Sequence, residues 1–370
     1  MKNFEELGIS KDLIKGLNEL NIKKPTKIQS EVISFLLNNT SDLVGQAQTG
    51  TGKTAAFGLP LLHRIKSEKK EIQALILCPT RELGQQIAKQ LFMYTKYTDK
   101  IFIEAVFGGA KIDLQINALK RPTHIVVATP GRLIDLVDRK AIDLSRVKTV
   151  ILDEADEMLT MGFKKELDKI LSFVSKTECK WLFSATMPSG IKQIINEHLS
   201  PKAHIIEVNI ENIVNENIEH QYIECNVHDK FDVLMKFLKS NSRSRGVVFC
   251  KTKAGAQNLE KQLKAKNILA GAIHGNLLQK DRDKVMRAFK KSRLQLLIAT
   301  DIAARGLDID DLAFVIHYQL PEKDEYYTHR SGRTARAGKK GISLCLVPSF
   351  EMKQITHFEN KLGITFKEVM

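Results

Sequence analysis

The 370-residue chain is predicted to be an α/β protein made of two tandem, doubly wound parallel-sheet domains. Three observations predict this. Short apolar runs alternate with longer helical patterns, a Gly-Lys-Thr loop follows the first run, and the rhythm starts afresh in the second half. In the first half the runs cover residues 42–45, 74–78, 101–107, 124–128, 147–152, 181–184 and 204–208. Their continuous apolar character is that of strands buried on both faces of a parallel sheet. Segments 82–95 and 163–174 read as helices between them. Runs at 246–250, 269–273, 294–299, 313–318 and 342–347 repeat the pattern. We expect domains at 1–208 and 218–370, joined by the asparagine-rich segment 209–217.

Composition narrows the class. Apolar content of 43% and charged content of 27% suit a globular protein, with no low-complexity tract. Splitting the +14 net charge at residue 208 gives 30 basic against 24 acidic residues, then 27 against 19. The excess therefore sits in both halves rather than in a tail, and a polyanionic partner is its natural counterpart. Cys78, Cys179, Cys225, Cys250 and Cys345 are odd in number and never in Cys-x-x-Cys spacing, so buried free thiols are expected instead of disulfides or zinc. Without a signal-peptide pattern or an apolar run near 18 residues, a cytoplasmic chain without membrane contact is expected.

The chemistry concentrates behind two apolar runs. Ala47-Gln48-Thr49-Gly50-Thr51-Gly52-Lys53-Thr54 has the form of a phosphate-cradling loop. Small residues let successive N–H groups face an anion, Lys53 reaches the outer phosphates, and the Thr54 hydroxyl can ligate Mg²⁺. Asp153-Glu154-Ala155-Asp156 places carboxylates at a strand end, where a nucleoside triphosphatase holds its metal and activates water. In the second half, Lys251-Thr252-Lys253-Ala254-Gly255 follows an apolar run in a similar position but lacks Gly-Lys-Thr. We therefore expect a duplicated domain that binds no nucleotide of its own.

Further motifs occur in a fixed order: Pro25-Thr26-Lys27-Ile28-Gln29, Pro79-Thr80-Arg81-Glu82-Leu83, Gly108-Gly109, Thr129-Pro130-Gly131-Arg132 and Ser184-Ala185-Thr186. Gln279-x-x-Arg282, the segment Ala299-Thr300-Asp301 through Asp308, and His329-Arg330-Ser331-Gly332-Arg333-Thr334-Ala335-Arg336 follow. With the Asp-Glu-Ala-Asp tetrad, this series resembles the DEAD-box RNA helicases of helicase superfamily 2, from about Phe4 to about Gly338. The resemblance implies two RecA-like domains and an RNA-stimulated ATPase using ATP and Mg²⁺. Closure of the domains on RNA would bend one strand and melt a short duplex.

Residue roles follow from the same likeness. Gln29 would read the adenine edge, with Phe4 supporting that site; without the likeness, Gln29 reads as a helix-start residue and Phe4 as core. Ala47 through Thr54 would bind phosphates, and Asp153 and Thr54 would hold the metal. Glu154 would activate water, and Arg333 and Arg336 would act as arginine fingers. Asp308 suits a ribose hydroxyl. Asp156, Ser184, Thr186, His329 and Arg330 would couple the domains, although Asp156 also suits a helix N-cap. Pro79, Thr80, Arg81, Gly108, Gly109, Thr129, Pro130, Gly131, Arg132, Arg282 and Thr300 would grip RNA. Aromatics are only 6% of the chain, so sugar–phosphate contact is favoured over base stacking.

Four positions depart from the family pattern. Asn21-Ile22 replaces a glycine and an adenine-stacking aromatic, Lys27 a proline, and Ser331 an apolar residue. Beyond Gly338 about one strand and one helix remain, which fits either a bare core or a shortened form of a longer chain; a monomer is expected. The rival readings are an ATP-gated RNA clamp without strand separation, a small-molecule kinase and a DNA translocase.

Overall fold

The structure is a computed structural model, describing residues 2–48, 50–174, 177–208, 217–304, 309, 312–335 and 339–369. The chain divides into two compact units, Met1–Ile210 and Glu211–Met370. The expected linker, apart from Asn217, lies outside the described residues, as do Thr49, Asp308 and Arg336.

The first unit holds β1 (Leu43–Gln46), β2 (Ala74–Leu77), β3 (Ile103–Val106), β4 (Ile125–Ala128), β5 (Thr149–Leu152), β6 (Cys179–Ser184) and β7 (His204–Glu207). They form one sheet in the order β3-β4-β2-β5-β6-β1-β7, and every pairing is parallel. Side-chain alternation divides the apolar runs between two cores. Ala74 and Ile76 face helices Lys27–Asn38 and Lys53–Arg64, while Leu75 and Leu77 face helices Pro130–Asp138 and Lys164–Phe173. One expectation fails at the edge. In β7 only Ile206 is buried, because an edge strand beside β1 has one covered face.

The second unit repeats the plan with β8 (Ile218–Glu224), β9 (Gly246–Phe249), β10 (Ala270–Ile273), β11 (Leu296–Ala299), β12 (Phe314–His317), β13 (Gly341–Val347) and β14 (Lys367–Glu368). Their order is β10-β11-β9-β12-β13-β8-β14, again with every pairing parallel. Aligning the two orders corrects the sequence reading. β9 occupies the place of β2, and β8 occupies the place of β1, the strand before the phosphate loop. Ile218-Glu219-His220-Gln221-Tyr222-Ile223-Glu224 is too polar to announce a buried strand. The helix after β8 begins at Lys230, as the helix after β1 begins at Lys53. Lys230 is buried, and its Nζ donates to the Tyr318 carbonyl at 3.0 Å.

Parallel strands set all their carboxyl ends along one edge of each sheet, which is where loops in such folds bind ligands. In the first unit that edge carries Ala47, Cys78, Phe107, Thr129 and Asp153, each the residue after its strand, together with Ser184, which closes β6.

Candidate nucleotide and RNA site

The phosphate loop leaves β1 beside β6: Gln46 registers with Ser184, and Ala47 N–H donates to the Ser184 carbonyl at 3.1 Å. Gly52 ends the loop with φ +91, and a Cβ there would lie 2.3 Å from Gln29 Nε2. Both the left-handed backbone and this approach require glycine. Lys53 opens helix Lys53–Arg64, is only 6% exposed, and donates from Nζ to the Ala47 carbonyl at 2.8 Å. Its ammonium thus closes the loop on itself. Thr54, half-buried, sits in the first turn of the same helix.

Gln29 is a helix-start residue that also reaches the phosphate loop. Its Oε1 accepts from Thr26 N–H at 2.9 Å, forming a capping box with the Thr26 hydroxyl. Nε2 donates to the Gly52 carbonyl at 3.1 Å, and Thr26 Oγ1 donates to the Thr51 carbonyl at 2.9 Å. The helix start is thereby tied to the phosphate loop. A primary amide offers two donor and two acceptor positions, so one of each remains for an adenine edge. Phe4, by contrast, is 3% exposed in the core containing Ile28 and Ile33. That burial is the core placement also considered for it, from which the ring could support the site only from within. Asn21 adopts φ +58, a conformation asparagine tolerates better than most residues, so it suits a position where the family pattern has glycine. Ile22 packs at the border of the same core.

Asp153 follows β5, and its N–H donates to the Leu77 carbonyl of β2. Its carboxyl is raised to about 7, chiefly by burial; the Lys53 ammonium opposes the rise and the Glu154 charge adds to it. Asp153 Oδ1 accepts the Glu154 N–H at 3.0 Å. Glu154 itself lies at φ +50, ψ +51, an unusual conformation for glutamate that turns the chain sharply before helix Ala155–Thr160. A buried carboxylate needing positive charge, with a hydroxyl at the helix start, is a hard-oxygen donor set that fits Mg²⁺. The other cluster of possible metal ligands among the described residues, Asp168, Glu197 and His198, already surrounds Lys164 Nζ, at 2.8 Å from Asp168 and 3.2 Å from Glu197.

Asp156 is not the N-cap, since that position falls to Glu154. Its Oδ2 accepts from Thr186 N–H at 2.9 Å and from Thr186 Oγ1 at 2.8 Å. Ser184 Oγ donates to the Thr186 carbonyl at 2.7 Å instead of to Asp156. The three residues thus bond in a chain from the end of β6 to the helix after β5.

Gly108, Gly109 and Gly131 are exposed at the same edge of the sheet, and a Cβ on Gly108 or Gly131 would meet nothing within 4 Å. Backbone N–H groups in such open positions can approach phosphates. The other residues expected to grip RNA here are held by contacts within the unit. Pro79 is buried, Thr80 caps helix Arg81–Tyr94 through Leu83 N–H, and Pro130 is buried in the first turn of its helix. Thr129 is half-buried just before that helix. Arg81 lies over the Phe107 ring at 4.7 Å. Arg132, expected to offer its fork to phosphate, donates to Gln115 Oε1 at 2.8 Å and to the Ala110 carbonyl at 3.0 Å. Gln115 in turn brackets the N–H and carbonyl of Phe107. This brace fixes the Gly108-Gly109 loop; no local pattern around Gln115 announced it.

In the second unit, Thr300 is 7% exposed after β11, and Arg282 Nη2 donates to the Ala303 carbonyl at 2.7 Å. Arg330 was expected at a contact between domains, yet it is 2% exposed and bound to Asp301 within this unit. His329 and Arg333 are half-buried on either side. Ser331 is fully buried, and its hydroxyl pairs with Ser343 Oγ at 2.8 Å and His317 Nε2 at 3.3 Å. The departure from an apolar residue is therefore satisfied by hydrogen bonding.

Comparison with known proteins agrees with this geometry. The DEAD/DEAH box helicase profile matches residues 26–194, and the helicase conserved C-terminal domain matches residues 229–338. The chain is 42% identical over 359 residues to the DEAD-box ATP-dependent RNA helicase CshA of Bacillus cereus, covering 97% of this chain and 68% of that protein. To CshA of Bacillus subtilis it is 40% identical, covering 96% and 72%. Among solved structures, S. cerevisiae Dbp5 bound to RNA and ADP BeF3 matches with a TM-score of 0.90 at 31% identity, covering 100% of this chain and 96% of that one. Mss116p bound to ssRNA and AMP-PNP gives 0.87 at 27%, covering 99% and 78%. The ordered motifs, the two parallel sheets and these relatives agree: the chain belongs to the DEAD-box ATP-dependent RNA helicases.

Proposed function

We propose that this helicase hydrolyses ATP at the edge of the first sheet and grips RNA by its sugar–phosphate backbone, melting short duplexes locally. The observation that carries the ATP site is the placement of Lys53 and Asp153. One opens the helix after β1 and the other follows β5; both are buried, and the ammonium offsets the charge of the carboxylate. In this reading Lys53 leaves the Ala47 carbonyl to bind the outer phosphates. Asp153 and the Thr54 hydroxyl would hold Mg²⁺, which when bound supplies charge neutralisation at the phosphates. Glu154 orients and deprotonates the attacking water. Gln29 reads adenine with its remaining donor and acceptor.

The Asp156–Thr186 bonds support a coupling role, because they join the loop after β5 to the end of β6. Exposed Gly108, Gly109 and Gly131 support backbone contact with RNA. Arg333 and Arg336 as arginine fingers, Asp308 at the ribose, and closure of the two domains on ATP and RNA complete the proposal on the strength of the motifs alone. So do a monomeric state and a cytoplasmic location; among the described residues no helix is long and apolar enough to cross a membrane.

ATPase assays with and without RNA test the site. Wild type should require Mg²⁺ and be stimulated by RNA, with chelation abolishing turnover. Lys53→Ala should be inactive while folded, and an active Lys53→Ala protein would place the nucleotide elsewhere.

A further inference from the structure

Helix Gln279–Lys290 carries Lys280, Lys284 and Arg287, and its C-cap is Lys291. The spacing i, i+4, i+7, i+11 sets all four on one helical face. All four are exposed, while Met286 and Phe289 on the opposite face are buried in the core with Val247 and Leu297. Among the described residues none of the four makes an ion pair. Elsewhere Lys15, Lys96, Lys148, Lys169 and Lys251 each pair with a carboxylate. Residues 279–293 hold seven basic residues against Asp281 and Asp283.

Helix stability does not account for this ridge. Cations near the C-terminus complement the helix dipole, which covers Arg287 and Lys291. Lys280 stands in the first turn, where a cation opposes the dipole, and like charges four residues apart repel. A regularly charged polyanion would relieve both costs. From Lys280 to Lys291 the ridge runs about 16 Å, the axial rise of roughly five phosphates of one strand in a helix. The same helix begins with Gln279 and Arg282, and Arg282 is bonded to the Ala303 carbonyl beside Thr300. Arg282 lies on the face opposite the ridge, so one helix carries the ridge outside and a proposed RNA-gripping arginine on its inner side. Leu278, 74% exposed, stands at the start of the helix and offers an apolar surface to a sugar or base face.

We propose that the outer face of helix Gln279–Lys290 is a second docking surface for the phosphate backbone of RNA, extending the footprint beyond the strand-end loops. This rests on the RNA-binding reading above. The test compares wild type with the combined variant Lys280→Gln, Lys284→Gln, Arg287→Gln, Lys291→Gln, leaving Arg282 intact. Binding is measured over a salt series to a short single strand and to that strand lengthened at either end by about ten nucleotides, twice the span of the ridge. The variant should bind the short strand as wild type does and keep the same ATPase rate at saturating short RNA. On one of the lengthened strands its affinity should fall at least about tenfold, and its log K against log salt slope should shrink by about 3, or roughly 0.7 per phosphate.

Unchanged affinity and slope on both lengthened strands would overturn the proposal, and so would an equal loss on the short strand. Loss of poly-glutamate binding with RNA binding intact would assign the ridge to an acidic protein and overturn it as well. Failure of wild type to bind any strand would reject the RNA reading itself, whereas wild-type binding that gains nothing from length rejects the ridge alone.

Discussion

Arg330 grips Asp301 with two arms of its guanidinium, Nε at 2.5 Å from one carboxylate oxygen and Nη2 at 2.7 Å from the other. Its Nη1 donates to the Gln319 carbonyl at 2.8 Å, and the group lies over the Phe249 ring at 5.0 Å. Asp301 begins the helical turn after β11, so the pair fastens that turn to helix Asp324–Ser331, which precedes Arg333. Removing one partner leaves a charge buried without its counter-ion, at a cost on the order of 3 kcal/mol. Arg330→Lys keeps the charge but loses the fork. Both Asp301→Asn and Arg330→Lys should lower the urea midpoint of the second unit; unchanged midpoints would mean the pair contributes nothing to its stability.

Gln29 joins the capping box to the Gly52 carbonyl, so its substitution separates two roles. Gln29→Ala should lower stability, because the Thr26 N–H and the Gly52 carbonyl lose their side-chain partner. It should also lose the preference for ATP over GTP, because a site built on hydrogen bonds penalises an analogue that cannot make them. Competition binding of the two nucleotides is the readout. Lowered stability with the preference unchanged would leave Gln29 as a structural tie only.

The Thr186 hydroxyl donates 2.8 Å to Asp156, while the Thr186 backbone N–H holds the same oxygen. Thr186→Val removes only the first bond. A hydrogen bond to a charged group contributes roughly 1.5–3 kcal/mol, so stimulation of ATPase by RNA should fall about tenfold or more. ATP affinity without RNA should stay the same. A drop in ATP affinity with stimulation preserved would place Thr186 in nucleotide binding instead.

For the arginines, Arg333→Ala or Arg336→Ala should reduce turnover far more than ATP affinity. Arginine fingers in other nucleotide hydrolases contribute roughly 10³–10⁵ in rate. A change confined to KM, or a loss of turnover below about tenfold, would remove the finger assignment.

Apolar continuity made the strands legible, because a strand covered on both faces cannot hide among polar residues. The same rule missed β8, whose His220, Gln221 and Glu224 interrupt the pattern, and overstated the burial of β7 at the sheet edge. Motif residues at strand ends were readable by type and order. Their partners were not, since hydrogen bonds such as Arg132 to Gln115 and Arg330 to Asp301 join positions 17 and 29 residues apart. Sequence motifs also do not tell a buried residue such as Thr80 from an exposed one such as Gly108, because both lie in loops at the same edge of the sheet.

The central claim is that ATP hydrolysis at Lys53, Asp153 and Glu154 drives separation of RNA strands. Displacement of one strand from a short RNA duplex, followed beside RNA-stimulated ATPase for wild type and Glu154→Gln, tests it most directly. Wild type should hydrolyse ATP and release the strand. Glu154→Gln should bind ATP and RNA together but turn over very slowly and accumulate as a trapped complex. RNA-stimulated hydrolysis by wild type without strand release would contradict the account and leave an ATP-gated clamp.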